Sequence, residues 1–188
     1  FKGLIDFGLR DDSGFIPENV AYQVVSAFMK PPKNYKLLVK DVTQWEESDT
    51  SYKMALFFAF WRAVATTYPN AWAEGQKKNS NRQIFYKATM LCLQEYVLET
   101  MVKAMPSRLL KKQGSFFNDP KELETEVRSN LYFLSEEFFT REWTETGLDT
   151  PERRRFLKSQ IEEAISRQSQ KIGTMALFKA KAKRPGKA

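Results

Sequence analysis

The side chains best placed to do chemistry in this chain are carboxylates and cations, because it contains no histidine. That absence removes Ser-His-Asp and Cys-His catalysis, His-bearing zinc sites and imidazole proton transfer. Acid–base work would fall to Asp, Glu, Lys or Tyr. Glu136-Glu137 and Glu162-Glu163 are adjacent pairs. Neighbours on a helix point about 100° apart, so neither pair converges as a general acid and base must. Glu142 and Glu145 flank Trp143 with no third group to give them a role. Asp11-Asp12 reads as part of a turn with Ser13-Gly14 rather than as a metal site. Cys92 is the lone cysteine and sits between Leu91 and Leu93. It forms no internal disulfide, and its setting is that of a core thiol in a reducing, cytoplasmic protein. No phosphate-loop, dinucleotide, CxxC, HExxH or GxSxG motif is present. No catalytic residue, metal ligand or cofactor site is expected, and an enzyme would need a further part.

The cations carry more information. The 30 basic residues exceed the 23 acidic ones by a net +7. Five of them (Lys179, Lys181, Lys183, Arg184 and Lys187) lie between Phe178 and Ala188, a stretch without acids. The rest of the chain is nearly neutral, so an argument for nucleic acid rests on this end. Pro185-Gly186 and the alternation of lysine with small residues predict a flexible arm over 175–188. Such an arm sits on phosphates by displacing counterions, without reading sequence. Lys77, Lys78 and Arg82 in a polar loop, and the run Arg153, Arg154, Arg155, are the other candidate phosphate contacts.

These residues need a scaffold, and the scaffold is helical. Tyr52–Trp72 reads YKMALFFAFWRAVATTYPNAW, and from Met54 to Ala65 its only polar residue is Arg62. A helix apolar on nearly every face must be enclosed. It is too short to cross a bilayer, which needs about 20 residues. The prediction is an all-α, irregular bundle of about five helices around a 52–68 helix. Phe57, Phe60, Trp61, Val64 and Tyr68 form its buried stripe, and Pro69 closes it. Arg62 is expected to snorkel or to pair with a carboxylate of another helix.

Elsewhere, residues 1–16 read as short extended pieces, expected to be the end of a preceding domain in a chain without an initiating Met; 17–174 read as the helical domain. Val20, Val24 and Phe28 recur at helical spacing until Pro31-Pro32. Leu37–Val42 fits a strand or a helical turn. Asp49, Thr50 or Ser51 caps the central helix. Ser80 and Gln83 have capping-box spacing for a helix over Ile84–Met105, expected to stop at Pro106 and to pack antiparallel against the central one. Glu99 and Lys103 are an i, i+4 pair on it. Asp119-Pro120 and Thr150-Pro151 each open a further helix. Leu123, Val127, Leu131, Leu134 and Phe138 mark one inner face. Leu157, Ile161, Ala164, Ile165 and Ile172 mark the other, which is expected to end at Gly173.

The order FFAFWRAV (57–64), YPNAW (68–72), a long apolar helix and then EWTETGLDT (142–150) before a basic helix start resembles the C-terminal helical region of DGQHR-domain proteins. These include the DndB-like accessory proteins of bacterial DNA phosphorothioate modification. The likeness spans Tyr52–Ile165. The signature Asp-Gly-Gln-His-Arg stretch is absent, so none of its residues carries over. The resemblance implies a bacterial, cytoplasmic context of DNA modification, its regulation or defence. The expected role is a non-catalytic accessory domain in weak, sequence-independent contact with DNA. The alternative is a module for partner proteins or self-association, with no nucleic-acid role; neither reading involves a membrane.

Overall fold

The computed structural model describes residues 5–6, 16–29, 49–76, 83–111, 119–140 and 150–182. Two-residue strands β1 (Ile5–Asp6) and β2 (Ile16–Pro17) pair in parallel, Ile5 opposite Ile16. Among the described residues all other regular structure is helical: α1 (Glu18–Met29), α2 (Thr50–Thr67), α3 (Pro69–Gly75), α4 (Lys87–Leu110), α5 (Pro120–Leu131) and α6 (Pro151–Ala182). Short 3-10 turns occupy Gln83–Phe85 and Glu136–Thr140. This is the expected mainly α bundle. The turn at 11–14, Pro31-Pro32, Leu37–Val42, Ser80 and the 141–149 segment lie outside the described residues.

The helix α2 is enclosed, as its composition requires. Leu56, Phe57, Ala59, Phe60, Trp61, Ala63 and Val64 are all buried. Asp49 caps it, its Oδ1 accepting from Ser51 N–H at 3.1 Å. Phe57 and Phe60 both meet Phe28 of α1 edge to face, at 5.4 and 5.9 Å between ring centres. Its closest partner is α5, not α4 as expected. The reason is the size of its side chains. Ala55, Ala59, Arg62 and Thr66 fall on one stripe at helical spacing. Small residues there let the backbones approach, while the bulky rings on the other faces hold α1 and α4 further off. Arg62 pairs across this seam with Glu124 at 3.9 Å, the interhelical alternative anticipated for it.

The two helices run in the same direction. Burial and then the Asp119 carboxylate at the start of α5 raise the Tyr52 phenol, so the two starts are neighbours. At the other end the Tyr68 hydroxyl donates to the Leu131 carbonyl at 2.9 Å. Tyr68 is buried, which pushes its phenol well above its ordinary value, and it meets Phe139 at 4.8 Å. Pro69 closes α2 and also starts α3. Glu136 caps α3 from across the molecule, accepting from Ala71 N–H at 2.7 Å and from the Asn70 amide at 2.8 Å. Trp72 packs back on Phe85, at 4.8 Å. A Cβ at Gly75 would stand 2.8 Å from the Phe85 ring, so only glycine allows this approach.

Three expected helix ends are corrected. The helix α4 passes through Pro106 to Leu110, and Lys111 N–H donates to Ser107 O at 3.2 Å at its end. The carbonyl that Pro106 leaves without its helical donor is that of half-buried Val102. The helix α5 stops at Leu131, and the last member of its predicted stripe, Phe138, is buried from the following 3-10 turn. The helix α6 continues through Gly173 to Ala182, a glycine in mid-helix costing only about 1 kcal/mol against alanine. Residues 175–182 are therefore helical rather than an irregular arm.

Candidate functional site

The helix α6 positions most of the chemistry. Its first half is anchored to α4: Leu157 and Ile161 are wholly buried, and Ala164 and Ile165 pack against the core. Lys158 lies between Glu95 at 3.2 Å and Glu99 at 2.5 Å. Burial lowers the affinity of its amine for a proton, and the hydrogen bonds it donates to Glu99 and Glu95, with their charge, more than offset that, so its pKa is raised. Glu99 thus serves Lys158 rather than Lys103. From Ser166 to Gln170 every residue is exposed, and the backbone stays helical to Ala182. That is ~25 Å of helix beyond Ile165, at 1.5 Å per residue. Residues 166–182 contain Arg167, Lys171, Lys179 and Lys181 and no acid.

The candidate arginines do not form one cluster. Arg155 is exposed and pairs with Glu152 at 3.6 Å. Arg153 and Arg154 are half-buried. The Cys92 thiol reaches the Arg154 carbonyl at 3.4 Å, and burial and then the Glu95 charge push that thiol up to about 12. Cys92 is therefore a core thiol and no nucleophile at neutral pH. Of the other candidates, Lys179 and Lys181 lie on α6, while Lys77, Lys78, Arg82, Lys183, Arg184 and Lys187 are outside the described residues.

Several cations of the described body are engaged by its own acids. Arg108 bridges Glu122 and Glu126, Arg128 holds Glu124, and Arg167 holds Glu163 at the start of the exposed stretch. Among the described residues no group of three or more Cys, Asp or Glu side chains could hold a metal ion, and no helix is long and apolar enough to cross a membrane.

A cleft of about 490 Å3 opens between α1, α4 and the first turn of α6. Lys87, Leu91, Gln94, Glu95 and Leu98 line it along one face of α4, and Tyr22 and Arg154 flank it. Gln94 is only 3% exposed. Its amide N–H donates to the Val24 carbonyl at 3.1 Å, which fixes its orientation and leaves Oε1 as a buried acceptor without a partner. Arg154 Nε is a buried donor without a partner. Two residues of the cleft wall thus carry an unmet acceptor and an unmet donor, each buried beneath its surface. A second hollow of similar size, lined by Phe133, Glu137, Gln160 and Arg167, has no such atoms. Reading the sequence missed this cleft. The visible signal was Gln94 itself, a polar residue in step with Leu91 and Leu98 on an apolar face.

A scan of protein-family models and searches of curated proteins and of solved structures find no match to this chain.

Proposed function

We propose that this chain is a helical, non-catalytic accessory domain of a DNA-associated bacterial protein, and that it rests on duplex phosphates without reading sequence. One observation carries the reading: many of the acids of the described body pair with its own cations, while the second half of α6 is basic, free of acids and follows Ile165, the last core residue among those described. A long cationic helix places charge along a backbone groove, and each phosphate neutralised releases counterions. Lys183, Arg184 and Lys187 extend the same charge. The likeness of 52–165 to DGQHR-domain proteins supports the wider context of DNA modification, its regulation or defence.

The test is fluorescence anisotropy of a labelled duplex across a salt series. The full chain should bind at low salt, with log K falling by about 0.9 per phosphate contact for each unit of log salt. Replacing Arg167, Lys171, Lys179, Lys181, Lys183, Arg184 and Lys187 by Gln should abolish most of that slope. Binding that is absent at low salt, or unchanged in the Gln variant, refutes the reading.

The alternative, a module for partner proteins or self-association, draws on exposed rings at Tyr132 (71%) and Phe156 (56%). It predicts a mass that rises with concentration in sedimentation, independent of the α6 cations.

A further inference from the structure

We propose that α6 docks on a second copy of this chain: two α6 helices pair antiparallel about a two-fold axis at Arg167, the second half of each lying along the first half of the other. This goes beyond duplex binding, involves no nucleic acid and stands or falls separately. Two observations carry it, the order of residues along one stripe of α6 and a groove beside that stripe.

The stripe starts on the first half of the helix. Phe156 is 56% exposed, Glu163 and Arg167 are exposed and Gln160 is half-buried, all at helical spacing. Leu157, Ile161 and Ile165 pack into the core instead, so the stripe lies on a flank of α6. Continued at the same spacing, it passes through positions 171, 174 and 178, which hold Lys, Thr and Phe, and the backbone is helical through all three. Outward from Arg167 the two directions match in kind: Glu163 answers Lys171, Gln160 answers Thr174, and Phe156 answers Phe178. A two-fold contact needs this self-complementarity, because residue i meets j and j meets i. Centred on Arg167, an antiparallel pair sets acid on base, polar on polar and ring on ring, each twice. The like charges at the axis are each held already by Glu163 of their own helix. No acid follows Glu163 in the sequence, so a parallel pair would instead set two acid-free basic halves side by side.

The flank also has room. A groove of about 490 Å3 runs beside the stripe, with Gln160, Glu163 and Arg167 on one bank and Phe133, Ser135 and Phe138 on the other. From 156 to 178 the paired helices run ~33 Å at 1.5 Å per residue. The contact covers the stretch from Ser166 to Gln170, in which every residue is exposed.

Sedimentation equilibrium of the full chain, without nucleic acid, tests this. The mass should rise with concentration from 21.9 kDa to twice that value and stop there, because a two-fold contact closes. Glu163→Lys and Lys171→Glu should each weaken the dimer about tenfold or more, since the like-charge contact they create occurs twice. The double variant exchanges the two charges, keeps an acid four residues from Arg167, and should recover most of the lost affinity. Circular dichroism and thermal melting check that each variant folds. A chain that stays monomeric at millimolar concentration overturns the proposal. So does a dimer indifferent to Glu163→Lys, as one seated on Tyr132 would be, or a loss in the single variants that the double variant does not recover.

Discussion

The seam between α2 and α5 and the cleft between α1, α4 and α6 are built on opposite terms. At the seam nearly everything buried is apolar or satisfied: Ala59, Ala63, Leu123, Val127 and Leu131 are buried, and the Tyr68 hydroxyl has the Leu131 carbonyl. At the cleft Gln94 Oε1 and Arg154 Nε are buried without partners. A fold optimised for stability alone removes such atoms, since each costs on the order of 1–3 kcal/mol. The contrast teaches where to look for recognition: the ring-rich seam is scaffold, and the polar side is where the chain tolerates a cost.

The sharpest way to break this comparison is to damage the seam. Phe60→Ala, at a wholly buried ring, should lower stability by about 3–5 kcal/mol in urea unfolding. Ala59→Leu should cost about 1–3 kcal/mol by forcing α2 and α5 apart. Tyr68→Phe, which removes the hydroxyl's bond to the Leu131 carbonyl but leaves that carbonyl accepting from Leu134 N–H at 2.9 Å, should cost about 0.5–1.5 kcal/mol. Gln94→Met should cost about 1 kcal/mol or less, because losing the bond to Val24 is offset by removing an unmet acceptor. If Gln94→Met proves as damaging as Phe60→Ala, the two regions do not differ in the way described.

The smallest effect concerns pH. The Lys158 amine has a raised pKa in the folded chain. Its contribution is therefore fully present below the ordinary lysine value of about 10.4 and is lost as pH rises through the higher folded value. The stability gap between the native chain and Lys158→Met should be constant through neutral pH and close only in strong alkali, as followed by urea unfolding at stepped pH.

Much of the scaffold was legible because its signals are local. Asp49 and Asp119 cap where their residue types predict, and the ring stripe of α2 is buried because no arrangement in water suits it. The pairing of helices was not legible: which face is narrow depends on Ala55 and Ala59 meeting a partner some 65 residues away in sequence. The helices run on past Pro106 and Gly173 because the helical turns on either side outweigh a single residue's propensity. The cleft was invisible because Lys87, Gln94 and Arg154 come together only when α6 docks on α4.

The proposed function depends on contact with nucleic acid belonging to the second half of α6 and not to the aromatic scaffold. Amide chemical-shift mapping on titration with a short duplex tests it directly. Shifts should concentrate between Arg167 and Ala182 and fade as salt is raised, with α2 and α5 silent. Perturbation centred on α2 and α5, or none anywhere at low salt, would contradict the account.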